Sequence, residues 1–128
     1  MIKQIDKCRK RGSSLGIFSV SRSTDAKKLE ALLVEGERIE SIYKLRVDQI
    51  CFTNKRIIFF DNKMFSKKKV RVFLPYKTIE SFAIQEAGMF DPDTGLLLMT
   101  RSKTFELEFA KDTDLSEVQA VLTKHLCS

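Results

Sequence analysis

Thr104-Phe105-Glu106-Leu107-Glu108-Phe109-Ala110-Lys111-Asp112-Thr113-Asp114-Leu115-Ser116-Glu117-Val118-Gln119-Ala120-Val121-Leu122-Thr123-Lys124-His125-Leu126 is the stretch that decides the fold. Phe105, Leu107 and Phe109 alternate with Thr104, Glu106 and Glu108. Successive side chains of a strand point to opposite faces, so this half predicts a strand with one wet face. Then the period changes. Asp114 stands at an N-cap position and Glu117 follows three residues later, a capping box with Asp in place of the usual Ser or Thr. Leu115, Val118, Leu122 and His125 recur at helical spacing, with Val121 and Leu126 beside them. That spacing predicts an amphipathic helix laid on a sheet.

Working back toward the N-terminus, Arg101-Ser102-Lys103 forms a short hairpin to a sixth strand, Leu96 to Thr100. Gly88 through Gly95 reads as a loop carrying Asp91-Pro92-Asp93. Glu80 to Glu86 is a fifth strand, with Phe82 and Ile84 pointing one way. Val70, Val72 and Leu74 mark a fourth, stopped by Pro75. Asp61-Asn62-Lys63 is a turn signal. Arg56 to Phe60 is a third strand, entered through the two-residue turn Asn54-Lys55. Val47 to Phe52 and Ile39 to Leu45 are the second and first. Residues 25–34 predict a short helix, with Thr24 as N-cap, Leu29, Leu32 and Leu33 on one face, and Gly36 as its stop. Seven short strands followed by a helix predict a mainly β domain with α elements, a small barrel whose open end the last helix plugs.

The 128 residues suit one domain. Hydrophobic residues at 43% and charged residues at 31% mark a globular chain. Ten Phe and no Trp point to a core of Phe and aliphatics. Net charge is +6 but uneven. Lys3, Lys7, Arg9, Lys10, Arg11 and Arg22 face only Asp6 in residues 1–24, so a basic N-terminal arm precedes a nearly neutral domain over 25–128. Arms of this kind contact anionic lipid, RNA or nothing at all. Cys8, Cys51 and Cys127 are odd in number and lack CxxC spacing, which indicates neither a disulfide framework nor a zinc site. No apolar run approaches the roughly 20 residues of a membrane helix. Leu15 to Val20 is too short for a signal-peptide core, so the expected location is cytoplasmic.

Five segments resemble the bacterial pleckstrin-homology domain family. They are Leu33-Val34-Glu35-Gly36-Glu37, Asp48 through Ile58, Leu74 through Ile79, Glu86 through Asp91, and Phe109 through Asp114 leading into the last helix. The resemblance spans residues 25–128. It implies a seven-stranded barrel of two orthogonal antiparallel sheets with a C-terminal helix, and self-association into ring-like homo-oligomers. Two positions depart from the family pattern. Val47 stands where the family often has Arg, and Gly95 where it tends to have an acidic residue.

No catalytic constellation is legible. His125, the lone histidine, sits on the apolar helix face and reads as a core or interface residue. Asp91 and Asp93 fit turn chemistry better than a cation site, since an EF-hand's Gly and terminal Glu are missing. No cofactor, metal or nucleic-acid site is expected. Lys44, Arg46, Lys55, Arg56, Lys67 and Lys68 are candidate contacts for an anionic ligand, weighed against a solvated charged face. Ile17, Phe18, Met89 and Phe90 are candidate apolar anchors of an oligomer interface, weighed against packing within the chain. The leading expectation is a non-enzymatic interaction domain whose partner is itself. The runner-up is a peripheral binder of anionic membrane at the inner face.

Overall fold

The computed structural model describes residues 27–61 and 69–127. Ile17, Phe18, Lys67, Lys68 and the arm over 1–24 lie outside the described residues. The elements run α1 (Lys27–Glu30), β1 (Ile39–Lys44), β2 (Gln49–Thr53), β3 (Arg56–Asp61), β4 (Val70–Pro75), a 3-10 turn (Tyr76–Thr78), β5 (Ile79–Gln85), β6 (Gly95–Thr100), β7 (Thr104–Glu108) and α2 (Leu115–Leu126). Every strand appears where the alternation places it, within two residues at its ends.

Seven strands form two antiparallel sheets, β1-β2-β3-β4 and β5-β6-β7. Among the described residues the two sheets do not close into a barrel. The sheets are stitched at one corner, where Leu45 and Phe109 make an isolated antiparallel bridge. There the Arg46 N–H donates to the Glu108 carbonyl (2.9 Å) and the Ala110 N–H to that of Lys44 (3.0 Å). Local alternation identifies strands and says nothing about which edges meet, hence the difference from a continuous shell.

Between the sheets lies the main core. Ile50, Phe52, Ile57, Phe59, Leu96, Leu98, Val118 and Leu122 are all within 1% of complete burial. Tyr43 meets Phe52, and Phe59 meets Phe105, edge to face at 5.7 and 5.4 Å, the arrangement ring quadrupoles favour. β7 reads as the alternation requires, with Phe105 and Leu107 buried and Thr104, Glu106 and Glu108 exposed. At the start of α2 the Asp114 carboxylate accepts from the N–H groups of Ser116 (3.0 Å) and Glu117 (3.3 Å), satisfying two donors of the first turn. Glu117 in turn accepts from the Tyr43 hydroxyl (3.3 Å), tying the helix to β1.

A second, smaller core sits on the outer face of the four-stranded sheet. Leu29, Ile42, Cys51 and Ile58 are buried there, with Leu32, Leu33 and Ile39 against them. β2 and β3 are therefore covered on both faces, as the unbroken run Ile57-Ile58-Phe59 requires. The helix expected over 25–34 is shorter in its described part. After Glu30 the bonds tighten to three-residue spacing, Leu32 N–H to Leu29 and Leu33 N–H to Glu30. Glu37 Oε1 then takes the Val34 N–H (3.0 Å). Gly36, at φ +82°, occupies the third position of the Val34–Glu37 turn, closed by a 2.9 Å bond; a Cβ is disfavoured there.

Candidate functional site

At one end of the four-stranded sheet, around the β2–β3 turn, the polar groups are paired. Glu37 has no exposed side-chain surface. It accepts from Arg56 Nε (2.9 Å), Arg56 Nη2 (3.0 Å) and the Thr53 hydroxyl (2.7 Å). Arg56 Nη2 also reaches the Leu32 carbonyl (3.1 Å). Burial raises the Glu37 pKa, but the Arg56, Thr53 and Val34 donors outweigh it and hold the carboxyl below its ordinary range. Asn54 clamps the preceding segment, accepting from the Arg38 N–H (2.7 Å) and donating to the Gly36 carbonyl (3.0 Å). The Tyr76 hydroxyl donates to the Thr53 carbonyl (2.6 Å). Arg56, a candidate anion contact, is thus committed to a buried carboxylate. Lys55 beside it is exposed.

The Tyr76 ring stacks on His125 at 4.0 Å and 7°. His125 Nε2 lies 2.7 Å from Glu40 Oε1, and Lys124 Nζ lies 3.3 Å from Glu40 Oε2. Glu40 occupies a register shift between Ile39 and Ser41, where the extra residue re-aims a side chain toward α2. Burial raises its pKa, yet the His125 contact and the Lys124 charge bring it below the ordinary value. The Cys51 thiol is buried and pushed up to about 12, chiefly by desolvation, so it is not a reactive thiol. Among the described residues no three His, Cys, Asp or Glu gather as metal ligands, and no helix is long and apolar enough to cross a membrane.

The opposite end is built differently. Residues 45–48 form a tight turn in which the Leu45 N–H donates to the Asp48 carbonyl (3.0 Å) and Asp48 takes φ 68°. Arg46 reaches across the corner to Glu108 (3.2 Å) and Asp93 (3.7 Å), joining this turn to the β5–β6 loop. That loop is held by the Gly88 N–H on the Asp91 carbonyl (2.7 Å) and the Asp93 N–H on Asp91 Oδ1 (3.0 Å), the turn role read for Asp91. At its tip Met89 and Phe90 are 89% and 93% exposed, and Val47 on the neighbouring turn is 58% exposed. Just beneath, a Cβ at Gly95 would meet the Leu107 carbonyl at 2.8 Å and Gln85 Oε1 at 2.6 Å. β6 approaches too closely there for the acidic side chain of the family pattern.

Register brings Lys44, Gln49, Phe60 and Arg71 into one row across the outer face. Lys44 pairs with Gln49 and Phe60 with Arg71, while the Ile50–Phe59 pair sets Gln49 beside Phe60. The Lys69 ammonium and Arg71 guanidinium sit 4.5 and 4.3 Å from the Phe60 ring centre. With Lys28 of α1 and Arg46 they border a cleft of about 630 Å³. Among the described residues that line it Asp48 is the one acid, and Lys69 holds it at 3.2 Å. Of the candidate anion contacts, Lys44 and Arg46 meet here. Lys55 and Arg56 lie at the other end of the hairpin. Arg71, Lys28 and Phe60 escaped sequence reading. The alternation of Lys69 with Arg71 opposite Phe60 was the signal, usable only once the β3–β4 register is known.

Residues 12–126 match the family model described as Bacterial PH domain. The match begins inside the stretch read as an arm. The chain is similar to the uncharacterized protein YozO of Bacillus subtilis (strain 168), 99% identical over 89% of this chain and all of that protein. It is similar also to the uncharacterized protein YjqA of the same organism, 33% identical over 81% and 86%. A crystal structure of a pleckstrin homology domain from Shewanella amazonensis SB2B is 29% identical, covers 80% of this chain and 96% of that one, and superposes with a TM-score of 0.65. With the family pattern running through both sheets and the last helix, the chain belongs to the bacterial PH domain family.

Proposed function

We propose that this domain is a non-catalytic interaction module that associates with copies of itself. The PH family generally offers a binding fold rather than a catalytic one. The observation that carries the reading is the pair Met89 and Phe90, almost wholly in water on a loop held by its own hydrogen bonds. Burying two such side chains contributes on the order of 1.5–3 kcal/mol each. β4 and β5 border their sheets, and among the described residues no further strand pairs with them, so they are candidate edges for a neighbour. A heterologous contact repeated about an axis closes a ring. Light scattering over a concentration series tests this. The wild-type chain should exceed its monomer mass, and Met89→Ser/Phe90→Ser should return it to monomer. A wild-type chain that stays monomeric at every concentration sinks the reading.

A second reading is favoured by Lys28, Lys44 and Arg71, which form no ion pair with a described residue. In it the basic arm and the cleft contact an anionic membrane, where each basic residue near the surface contributes about 1 kcal/mol. Co-sedimentation with phosphatidylglycerol vesicles, with and without residues 1–24, separates the two readings. Vesicle binding that vanishes on truncation while the scattering mass is unchanged favours the membrane.

A further inference from the structure

We propose that the outer face of the four-stranded sheet binds single-stranded nucleic acid, with phosphates on its cations and bases on its aromatic rings. Ten Phe point to a core, yet the strand registers carry two of them elsewhere. Across the β3–β4 pair Phe60 lies opposite Arg71, and Phe73 opposite Ile58. Residues two apart share a face of a strand, so both rings stand diagonally on the outer face. Phe60 is half-buried and Phe73 is 40% exposed. Cations flank them. Lys44 and Arg71 end the row whose middle is Gln49 and Phe60. Three strand spacings, about 14 Å, separate those ends. Lys28 borders the same cleft from α1. Lys28, Lys44 and Arg71 form no ion pair with a described residue. Arg46 and Arg56 are left out of the site, since Glu108, Asp93 and Glu37 already hold them.

A row of cation, amide, ring and cation matches the chemistry of a nucleotide strand. Phosphates meet the charged ends, and a base lies over the ring with its edge near an amide that both donates and accepts. Stacking tolerates any base, because every base has a π face. The Arg71 guanidinium, 4.3 Å from the Phe60 ring centre, adds a second flat surface for a base. Other occupants fit less well. A duplex keeps its bases stacked inward and offers the rings no faces. A bilayer takes up side chains that project, and Phe60 is recessed. The apolar side chains that do project, Met89 and Phe90, sit on a loop whose charged residues Glu86, Asp91 and Asp93 are all acidic. The inference stands whether or not the chain associates with itself.

Fluorescence anisotropy of a labelled oligouridylate against the full chain supplies the test. Wild type should bind, and more weakly as salt is raised. Lys44→Glu/Arg71→Glu should lose at least about tenfold in affinity and flatten the slope of log affinity against log salt by about 1.4, the share of two phosphate contacts. Lys77→Glu/Lys111→Glu makes the same change in net charge at exposed positions outside the cleft and should bind close to wild type. Phe60→Leu keeps the charge and the apolar bulk but removes the ring, and should lose about fivefold or more, whereas Phe60→Tyr should retain binding. Thermal unfolding checks that each variant is folded, with Lys44→Gln/Arg71→Gln in reserve for the charge reversal. A wild-type chain that leaves the oligouridylate free overturns the proposal. Equal losses in the two charge-reversed variants overturn it by placing binding on net charge alone. Undiminished binding by Phe60→Leu, or a duplex held as tightly as the single strand, removes the bases from the contact and overturns it as well. Loss of phosphatidylglycerol-vesicle binding in Lys44→Glu/Arg71→Glu, with oligouridylate binding retained, assigns the cleft to lipid instead.

Discussion

The two ends of the four-stranded sheet use the same residue types to opposite effect. At the β2–β3 turn, Arg56 is fixed by two contacts to a carboxylate with no exposed surface, and its neighbours Thr53, Asn54 and Tyr76 are each hydrogen-bonded. At the other end Arg71 lies over Phe60 with no carboxylate partner among the described residues, and Lys44 points into solvent. One end holds the N-terminal segment to the sheet. The other pairs Arg46 and Lys69 but leaves Lys44 and Arg71 without an acidic partner among the described residues, beside the exposed Met89 and Phe90. A basic residue in a turn therefore says little about ligands until its acidic partner is known.

The sharpest break of this contrast is Glu37→Ala. It strands Arg56 and Thr53, and removing one partner of a buried ion pair costs about 3–5 kcal/mol. Urea unfolding should show it as a lower midpoint; a midpoint close to wild type would mean that the saturated end is not structural. The same break can be made reversibly with acid. Glu37 and Glu40 are both held below the ordinary glutamate value of 4.5. Their stabilisation is complete above pH 4.5 and is lost as pH falls through the lower folded-state values. Unfolding free energy should decline below pH 4.5, less steeply in Glu37→Gln. Gly95→Ala probes where the open end stops being surface. Its Cβ would press on the Leu107 carbonyl, and overpacking of this kind costs about 1–3 kcal/mol. Arg71→Ala should be the smallest change, within about 0.5 kcal/mol in the same assay. A larger loss would show that Arg71 is a structural residue like Arg56.

The fold was legible because its signals are local. Phe105, Leu107 and Phe109 announce a strand within six residues, and Asp114 with Glu117 announces a helix within four. The arrangement of the strands was not local. That the sheets divide four and three, and meet at Leu45 and Phe109 rather than closing, depends on edges far apart in sequence. The same holds for the surfaces. Lys44 and Arg46 stood out as basic residues at a turn. The row that joins Lys44 to Arg71 needs three consecutive registers, and a shift of one residue would send Arg71 to the other face. Arg56 looked like an exposed turn cation because its partner Glu37 is 19 positions away. Met89 and Phe90 read equally as anchors or as internal packing, and the structure leaves both side chains exposed on a loop held by its own hydrogen bonds.

The single stitched corner bears on how the chain reaches this arrangement. All five strand pairings join chain neighbours. Arg46 and Glu108 are 62 residues apart, and Glu40 and His125 are 85 apart. Short loops close at less entropic cost than long ones, so the two meanders assemble first and dock afterwards. Interactions formed after the barrier govern how fast the molecule comes apart. Persistence in the folded state is therefore set by the Leu45–Phe109 corner and the α2 clasp. Stopped-flow traces of Phe109→Ala should show faster unfolding with an almost unchanged refolding rate.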